Sequence, residues 1–187
     1  MRPWPILRIA LLSLLLLAVQ GLQAATTPED ETVQALRRAH GAVVGIEVTS
    51  VEGARSAQSL GPSRSGSGVV IGADGLILTI GYLTLEAETI QVVTQDGRSL
   101  PARAIAYDLA TGFALIKPLL PLGGIAPAPL GSLRSVEPGD MLMASMGAHS
   151  GSADSGVGMT QLVSKRPFSG YWEYHIDEAA FTSPPVN

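Results

Sequence analysis

The chain has 187 residues, 12 Lys and Arg against 16 Asp and Glu, a net charge of −4 and no cysteine. That length holds one domain or two small packed barrels, the acidity excludes a basic nucleic-acid surface, and the missing thiols exclude a disulfide framework and a thiolate metal site. Hydrophobic residues at 46% supply a core, while 21 Gly and 13 Pro point to many turns and short strands rather than long helices.

Residues 1–25 have the form of a signal peptide. Arg2 and Arg8 give a positive start, an apolar run over 9–19 is broken only by Ser13, and Ala24-Ala25 offers small residues for cleavage. The run falls short of the roughly 20 residues of a membrane span, so a cleaved leader is read in preference to an anchor. The expectation is an exported protein, periplasmic or secreted, with no stable membrane span after cleavage. Loss of Arg2 and Arg8 leaves 10 basic against 16 acidic residues, a net charge of −6.

Residues 26–41 are predicted as an N-terminal helix. Thr27 can cap it, Pro28 suits the first helical position, Glu29, Asp30 and Glu31 sit at the positive helix end, and Gly41 stops it. A strand rich in Val and Ile follows at 42–49. Small polar residues at 52–65 predict a mobile loop. Apolar strands at 68–72 and 76–80 flank Ala73-Asp74-Gly75, and Asp-Gly between apolar runs is a strong hairpin signal. Further strands are predicted at 89–94, 99–107 and 112–117, with Asp96-Gly97 turning the first into the second. Residues 119–130 carry Pro121, Gly123, Gly124, Pro127 and Pro129 and read as a linker between two halves. Beyond it come a strand at 141–146, a small flexible stretch at 148–156, and strands at 157–165 and 171–176 around a turn at 166–170.

Four pieces, taken in order, carry a family resemblance. The first is Gly66-Ser67-Gly68-Val69-Val70-Ile71 with Asp74-Gly75-Leu76-Ile77-Leu78-Thr79. The second is Asp96-Gly97-Arg98 followed by Pro101-Ala102-Arg103, and the third is Asp108-Leu109-Ala110-Thr111-Gly112-Phe113-Ala114-Leu115-Ile116-Lys117. The fourth is Leu130-Gly131-Ser132, then Val136-Glu137-Pro138-Gly139-Asp140 and Ala144-Ser145-Met146-Gly147. Together they resemble the HtrA/Deg branch of the trypsin-like serine proteases. The resemblance implies an all-β fold, a trypsin-like double β-barrel with a short N-terminal helix. It places the first barrel at 42–118, the linker at 119–130 and a partial second barrel at 131–187, with two or three strands missing. An unclosed barrel exposes strand edges and core surface.

The chemistry of that family needs a serine nucleophile, a histidine base, an aspartate that holds the histidine, and backbone N–H groups aimed at the oxyanion. Where the family carries Thr-Asn-x-His-Val, this chain reads Thr79-Ile80-Gly81-Tyr82-Leu83, so Tyr82 takes the histidine position. A phenol with a reference pKa of about 10 is protonated at neutral pH and accepts a serine proton poorly. A tyrosinate base would need a cation such as Lys117 or Arg166 beside it; otherwise the ring fills the cleft. Gly112 falls at the aspartate position and has no side chain. Asp108 matches a non-catalytic acid of the family, with a turn contact as its role.

The tail Glu178-Ala179-Ala180-Phe181-Thr182-Ser183-Pro184-Pro185 resembles the family's Asp-Ala-Ala-Ile-Asn-Pro-Gly-Asn. Carried without a gap, it puts the nucleophile position on Val186; with a short gap the position lies past Asn187. Ungapped, Pro184 stands where an oxyanion N–H is needed, and proline has none. His40, His149 and His175 sit at no recognisable nucleophile elbow and in no metal-ligand spacing, so neither metal nor cofactor is expected.

These readings lead to an exported HtrA/Deg-like pseudoprotease that binds unfolded or extended peptides, or a protein partner, along a sheet edge. An oligomer is compatible with that reading, and nucleic acid is not. The alternatives are a serine endopeptidase with a rearranged site and a fragment of a longer trypsin-like protease.

Overall fold

The computed structural model describes residues 28–150, 156–170 and 174–185; the leader read at 1–25 and the nucleophile position at Val186 lie outside the described residues. The chain divides after Gln34 into two units, and the second holds both sheets. Helix α1 (Pro28–Gly41) carries Glu29, Asp30 and Glu31 in its first turn and Arg38 and His40 in its last, the charge order a helix dipole favours. No helix among the described residues is long and apolar enough to cross a membrane.

Six strands close into a barrel: β1 (Val43–Ser50), β2 (Ser63–Val70), β3 (Ile77–Ile80), β4 (Ala87–Val93), β5 (Ser99–Asp108) and β6 (Phe113–Pro118). Their order around the barrel is β1, β2, β3, β6, β5, β4, and every pair is antiparallel. Because side chains alternate along a strand, one set points inward. Val44, Ile46 and Val48 of β1 meet Val70, Ile77, Ile90, Val92 and Ile116 in one buried cluster, joined by Leu83 and Leu122.

The glycines of β2 make that cluster fit. A Cβ on Gly66 would lie 2.7 Å from Leu83 Cδ1, and a Cβ on Gly68 would lie 2.6 Å from Ile77 Cγ2. The small-residue lead-in is therefore a packing requirement for the residues opposite it. Leu83 is fully buried. Leu83→Ala is expected to cost about 3 kcal/mol, measured by urea unfolding.

Strand β2 starts at Ser63, inside the stretch 52–65 predicted as a mobile loop. Its register with β1 runs from Thr49↔Ser63 to Val43↔Val69, so the whole strand is paired. Pairing, together with burial of Arg64, overrides the weak strand preference of Ser-Arg-Ser-Gly-Ser. The rest of that stretch includes a single helical turn, α2 (Ala57–Leu60). Residues 119–130 have no regular structure but are tied to the barrel. Leu122 is buried, Leu119 N–H donates to Pro101 O at 2.8 Å, and Ala128 N–H donates to Val70 O at 2.8 Å.

The second sheet has three antiparallel strands in the order β7 (Met141–Ser145), β8 (Val157–Ser169), β9 (His175–Ser183). The sequence predicts strands at 157–165 and 171–176, of which 171–173 lie outside the described residues. Instead β8 continues through Pro167 to Ser169, and β9 reaches Ser183. Register shifts between Leu162 and Ser164 and between Arg166 and Phe168 mark bulges, and the second absorbs a proline that has no N–H for the ladder. Met141, Val157, Met159 and Val163 of this sheet are exposed. The architecture is the all-β class expected: a closed six-stranded barrel and an incomplete second sheet, preceded by a short helix.

Candidate functional site

Strand β3 ends at Ile80, and the chain bends through a 3-10 turn, Gly81–Thr84, that carries Tyr82. Thr84 Oγ1 donates to Gly81 O at 2.9 Å, and Leu83 plugs the turn into the core. Arg64, 6% exposed, holds the turn from the β2 side. Its Nη1 donates to Tyr82 O at 3.1 Å and Leu85 O at 2.7 Å, its Nε to Gly61 O at 3.3 Å, and its Nη2 to Ser56 Oγ at 2.7 Å. A guanidinium can stay buried here because its donors meet four acceptors. Glu86, in left-handed backbone at φ 48°, closes the arrangement. Its carboxylate accepts from Ser56 N–H at 2.8 Å and Arg55 N–H at 3.4 Å. Sequence reasoning missed Arg64 by placing it in a loop; the available signal was a lone cation in a run of Ser and Gly.

Gly112 stands next to this turn: Gly81 N–H donates to Gly112 O at 2.7 Å. The structure therefore brings together the two positions read as histidine and aspartate equivalents. The Tyr82 side chain is half-buried against the barrel core. A Cβ on Gly81 would overlap the ring of Tyr107, and a Cβ on Gly112 would meet the ring of Tyr174. An aromatic ring thus packs against each of these two glycines.

Asp108 makes a turn contact before Gly112. Its Oδ1 accepts from Ala110 N–H at 3.1 Å, its Oδ2 accepts from Thr111 Oγ1 at 2.7 Å, and Gly112 N–H donates to its backbone carbonyl at 2.8 Å. The Thr111 hydroxyl holds the Asp108 carboxyl below its usual range, and hydrogen bonds from Ser56 do the same for Glu86. Both groups ionise more readily in the folded chain than in the unfolded one. Their stabilisation is complete above the ordinary carboxylate range, about pH 4 to 4.5, and is lost as pH falls through and below it. Thermal melts are expected to be level from about pH 7 to 5.5 and to drop below about pH 4.5, with Glu86→Gln and Asp108→Asn each shallowing the drop.

The cations considered as activators of Tyr82 are engaged elsewhere. Lys117 pairs with Asp74, and the Arg166 guanidinium lies 3.9 Å from the centroid of the Phe181 ring. His40 Nδ1 lies 2.6 Å from Ser145 Oγ. His149 lines a hollow of about 380 Å³ together with Glu47, Arg64, Thr89 and Gln91. The next residue, Ser150, donates N–H and Oγ to the Glu47 carboxylate at 2.6 and 2.7 Å, which ties down the start of the stretch predicted as flexible. His175 sits on the exposed β8–β9 hairpin, with Nδ1 2.9 Å from Ser169 Oγ and Nε2 3.5 Å from Asp177 Oδ1. Pro184 O accepts from Thr160 Oγ1 at 2.8 Å.

Among the described residues, no group of three or more His, Asp or Glu side chains converges as a metal site. A larger hollow, about 530 Å³, is lined by residues 73–75 and 117–125 and by neither Tyr82 nor Gly112.

The trypsin-like peptidase domain family matches residues 66–184. The serine endoprotease DegS of Escherichia coli (strain K12) is 30% identical over 143 residues, covering 72% of this chain and 40% of that protein. The serine protease HTRA1 of Xenopus laevis is 32% identical over 83 residues, covering 44% of this chain and 18% of that protein. Among solved structures, the HtrA-type protease AlgW with tripeptide aligns at a TM-score of 0.57 and 26% identity, covering 71% of this chain and 40% of that one. The chain thus spans well under half the length of these relatives. With the family match running from the glycines of β2 to Pro184, and the barrel and open sheet placed as they are, the chain belongs to the trypsin-like peptidase domain family, in its HtrA-type branch.

Proposed function

We propose that this chain is an exported, non-catalytic HtrA/Deg-type domain that works by binding extended polypeptide. The observation that carries the reading is the pair at the head of the barrel. Tyr82 packs its ring on the core and Gly112 has no side chain, so neither a base nor an orienting carboxylate stands where the family's reaction needs them. Binding is supported by the open sheet, in which β7 and β9 each pair only with β8 among the described residues, leaving edges onto which a strand can add. The related AlgW structure holds a tripeptide. Export rests on the leader-like residues 1–25, and the division into leader, first barrel and partial second barrel belongs to the same proposal.

The test pairs a fluorophosphonate probe with an unfolded protein substrate, using the full chain. The expected result is no labelled serine, no cleavage, and saturable binding of an extended peptide by fluorescence anisotropy. Cleavage with labelling of one specific serine would sink the reading. A serine endopeptidase with a rearranged site would then run through Ser169, the hydroxyl held by His175. That arrangement is poorly equipped: the Asp177 side chain is fully exposed, so its charge is screened, and Gly170 N–H is spent on Tyr174 O at 3.0 Å rather than aimed at an oxyanion.

A further inference from the structure

We infer that Tyr174 covers the end of the barrel where Gly81 and Gly112 meet, and that Gly112 and Tyr174 form a matched pair in which the Tyr174 side chain occupies the space an orienting carboxylate would need. The inference rests on packing alone and does not depend on peptide binding.

Tyr174 stands just before β9, on the hairpin that joins it to β8. Two backbone hydrogen bonds fix its position. Gly170 N–H donates to Tyr174 O at 3.0 Å within the hairpin, and His175 N–H donates to Ala110 O at 2.9 Å on the barrel. The second bond ties the hairpin to the turn that leads into Gly112. The side chain then lies against the bare α-carbon of Gly112. A Cβ there would stand 2.7 Å from Tyr174 Cγ and 2.9 Å from its Cβ and Cδ1. Carbon atoms do not approach so closely, so any side chain at position 112 must displace the Tyr174 side chain from its Cβ outward.

The ring also meets an aromatic neighbour on β8. Phe168 lies 6.2 Å from Tyr174 between ring centroids, Phe181 lies 6.1 Å from Phe168, and the Arg166 guanidinium caps Phe181. These ring contacts, tilted at 55° and edge-on at 71°, run from the hairpin across the second sheet. Gly112 also has φ 73°, a backbone conformation that disfavours any side chain, Asp less than most. Two separate obstacles therefore stand against an aspartate at this position: the local backbone and the Tyr174 ring. The polar link that joins histidine and aspartate in an active relative is replaced here by an apolar lock between barrel and hairpin.

The test is a double-mutant cycle in the full chain, read as the unfolding equilibrium constant in urea. Gly112→Asp is expected to raise that constant about 100-fold when Tyr174 is present and about tenfold when Tyr174→Ala has removed the ring, the remainder being backbone strain and the 2.9 Å approach to the Cβ that alanine keeps. Effects that multiply independently to within about twofold would overturn the inference. A second measurement needs no change at Gly112. Exchange of the His175 amide hydrogen is expected to quicken about tenfold in Tyr174→Ala and to stay at the native rate in Tyr174→Phe, with the Ile46 amide unchanged in both. Equal His175 exchange in all three proteins would show that the ring locks nothing.

Discussion

Arg64→Met is expected to lower stability by about 4 kcal/mol and the melting temperature by roughly 8–16 °C. Methionine keeps much of the side-chain volume, so the loss is mainly one of hydrogen-bond donors. Four acceptors, Gly61 O, Tyr82 O, Leu85 O and Ser56 Oγ, lose the guanidinium that serves them. A buried acceptor left without a partner costs about 1–3 kcal/mol, and water reaching the outer two brings the total to about 4 kcal/mol. Arg64→Lys separates charge from geometry. A single ammonium can reach the Tyr82 and Leu85 carbonyls but lacks the fork that also serves Ser56 and Gly61, so it is expected to recover about half the loss. Arg103 is exposed on β5, and Arg103→Met is expected to stay within about 0.5 kcal/mol of the native chain. Thermal and urea unfolding of the three variants decide the matter. A loss below about 1 kcal/mol in Arg64→Met would mean that the turn holding Tyr82 stands without its cation.

Ile77→Ala is expected to cost about 4 kcal/mol, and adding Gly68→Ala to it is expected to return about 1 kcal/mol. Ile77 is fully buried, sits opposite Ile116 across β3 and β6, and faces Gly68 on β2. Truncating it removes the apolar contact and leaves a void that a closed barrel cannot collapse around, since each strand is held on both sides. In the native chain the methyl of Gly68→Ala would press on Ile77 Cγ2 at 2.6 Å and on Ile46 Cδ1 at 3.2 Å, at a cost of about 1–3 kcal/mol. With Ala at position 77 the same methyl enters the vacated space. One substitution is thus expected to change sign with its background, and urea unfolding of the four proteins of the cycle reads that change directly. If Gly68→Ala destabilises both backgrounds equally, the glycine is needed for its backbone rather than for the space it leaves.

The legible parts of the molecule are those with local causes. Asp74-Gly75 and Asp96-Gly97 turn the chain where the sequence says they should, because both Gly75 and Gly97 take positive φ. The alternating apolar residues of β1 and β4 then point inward by strand geometry alone. Tyr82 and Gly112 were singled out in the sequence because each follows a short motif at fixed spacing. What those positions do was not readable. Whether Tyr82 projects into a cleft or lies on the core depends on Leu83 beneath it and Arg64 behind it, and Arg64 belongs to another strand.

The sequence by itself determined the all-β class and the hairpins of the barrel, because turns and alternation are local properties. Only the tertiary structure decided that β2 begins at Ser63, that Arg64 secures the turn carrying Tyr82, that β9 runs to Ser183, and that Tyr174 covers Gly112. Each of these arises from contacts between residues distant in sequence. A buried guanidinium is tolerated only where several carbonyls converge, and a ring settles on a glycine only where a second sheet carries it there.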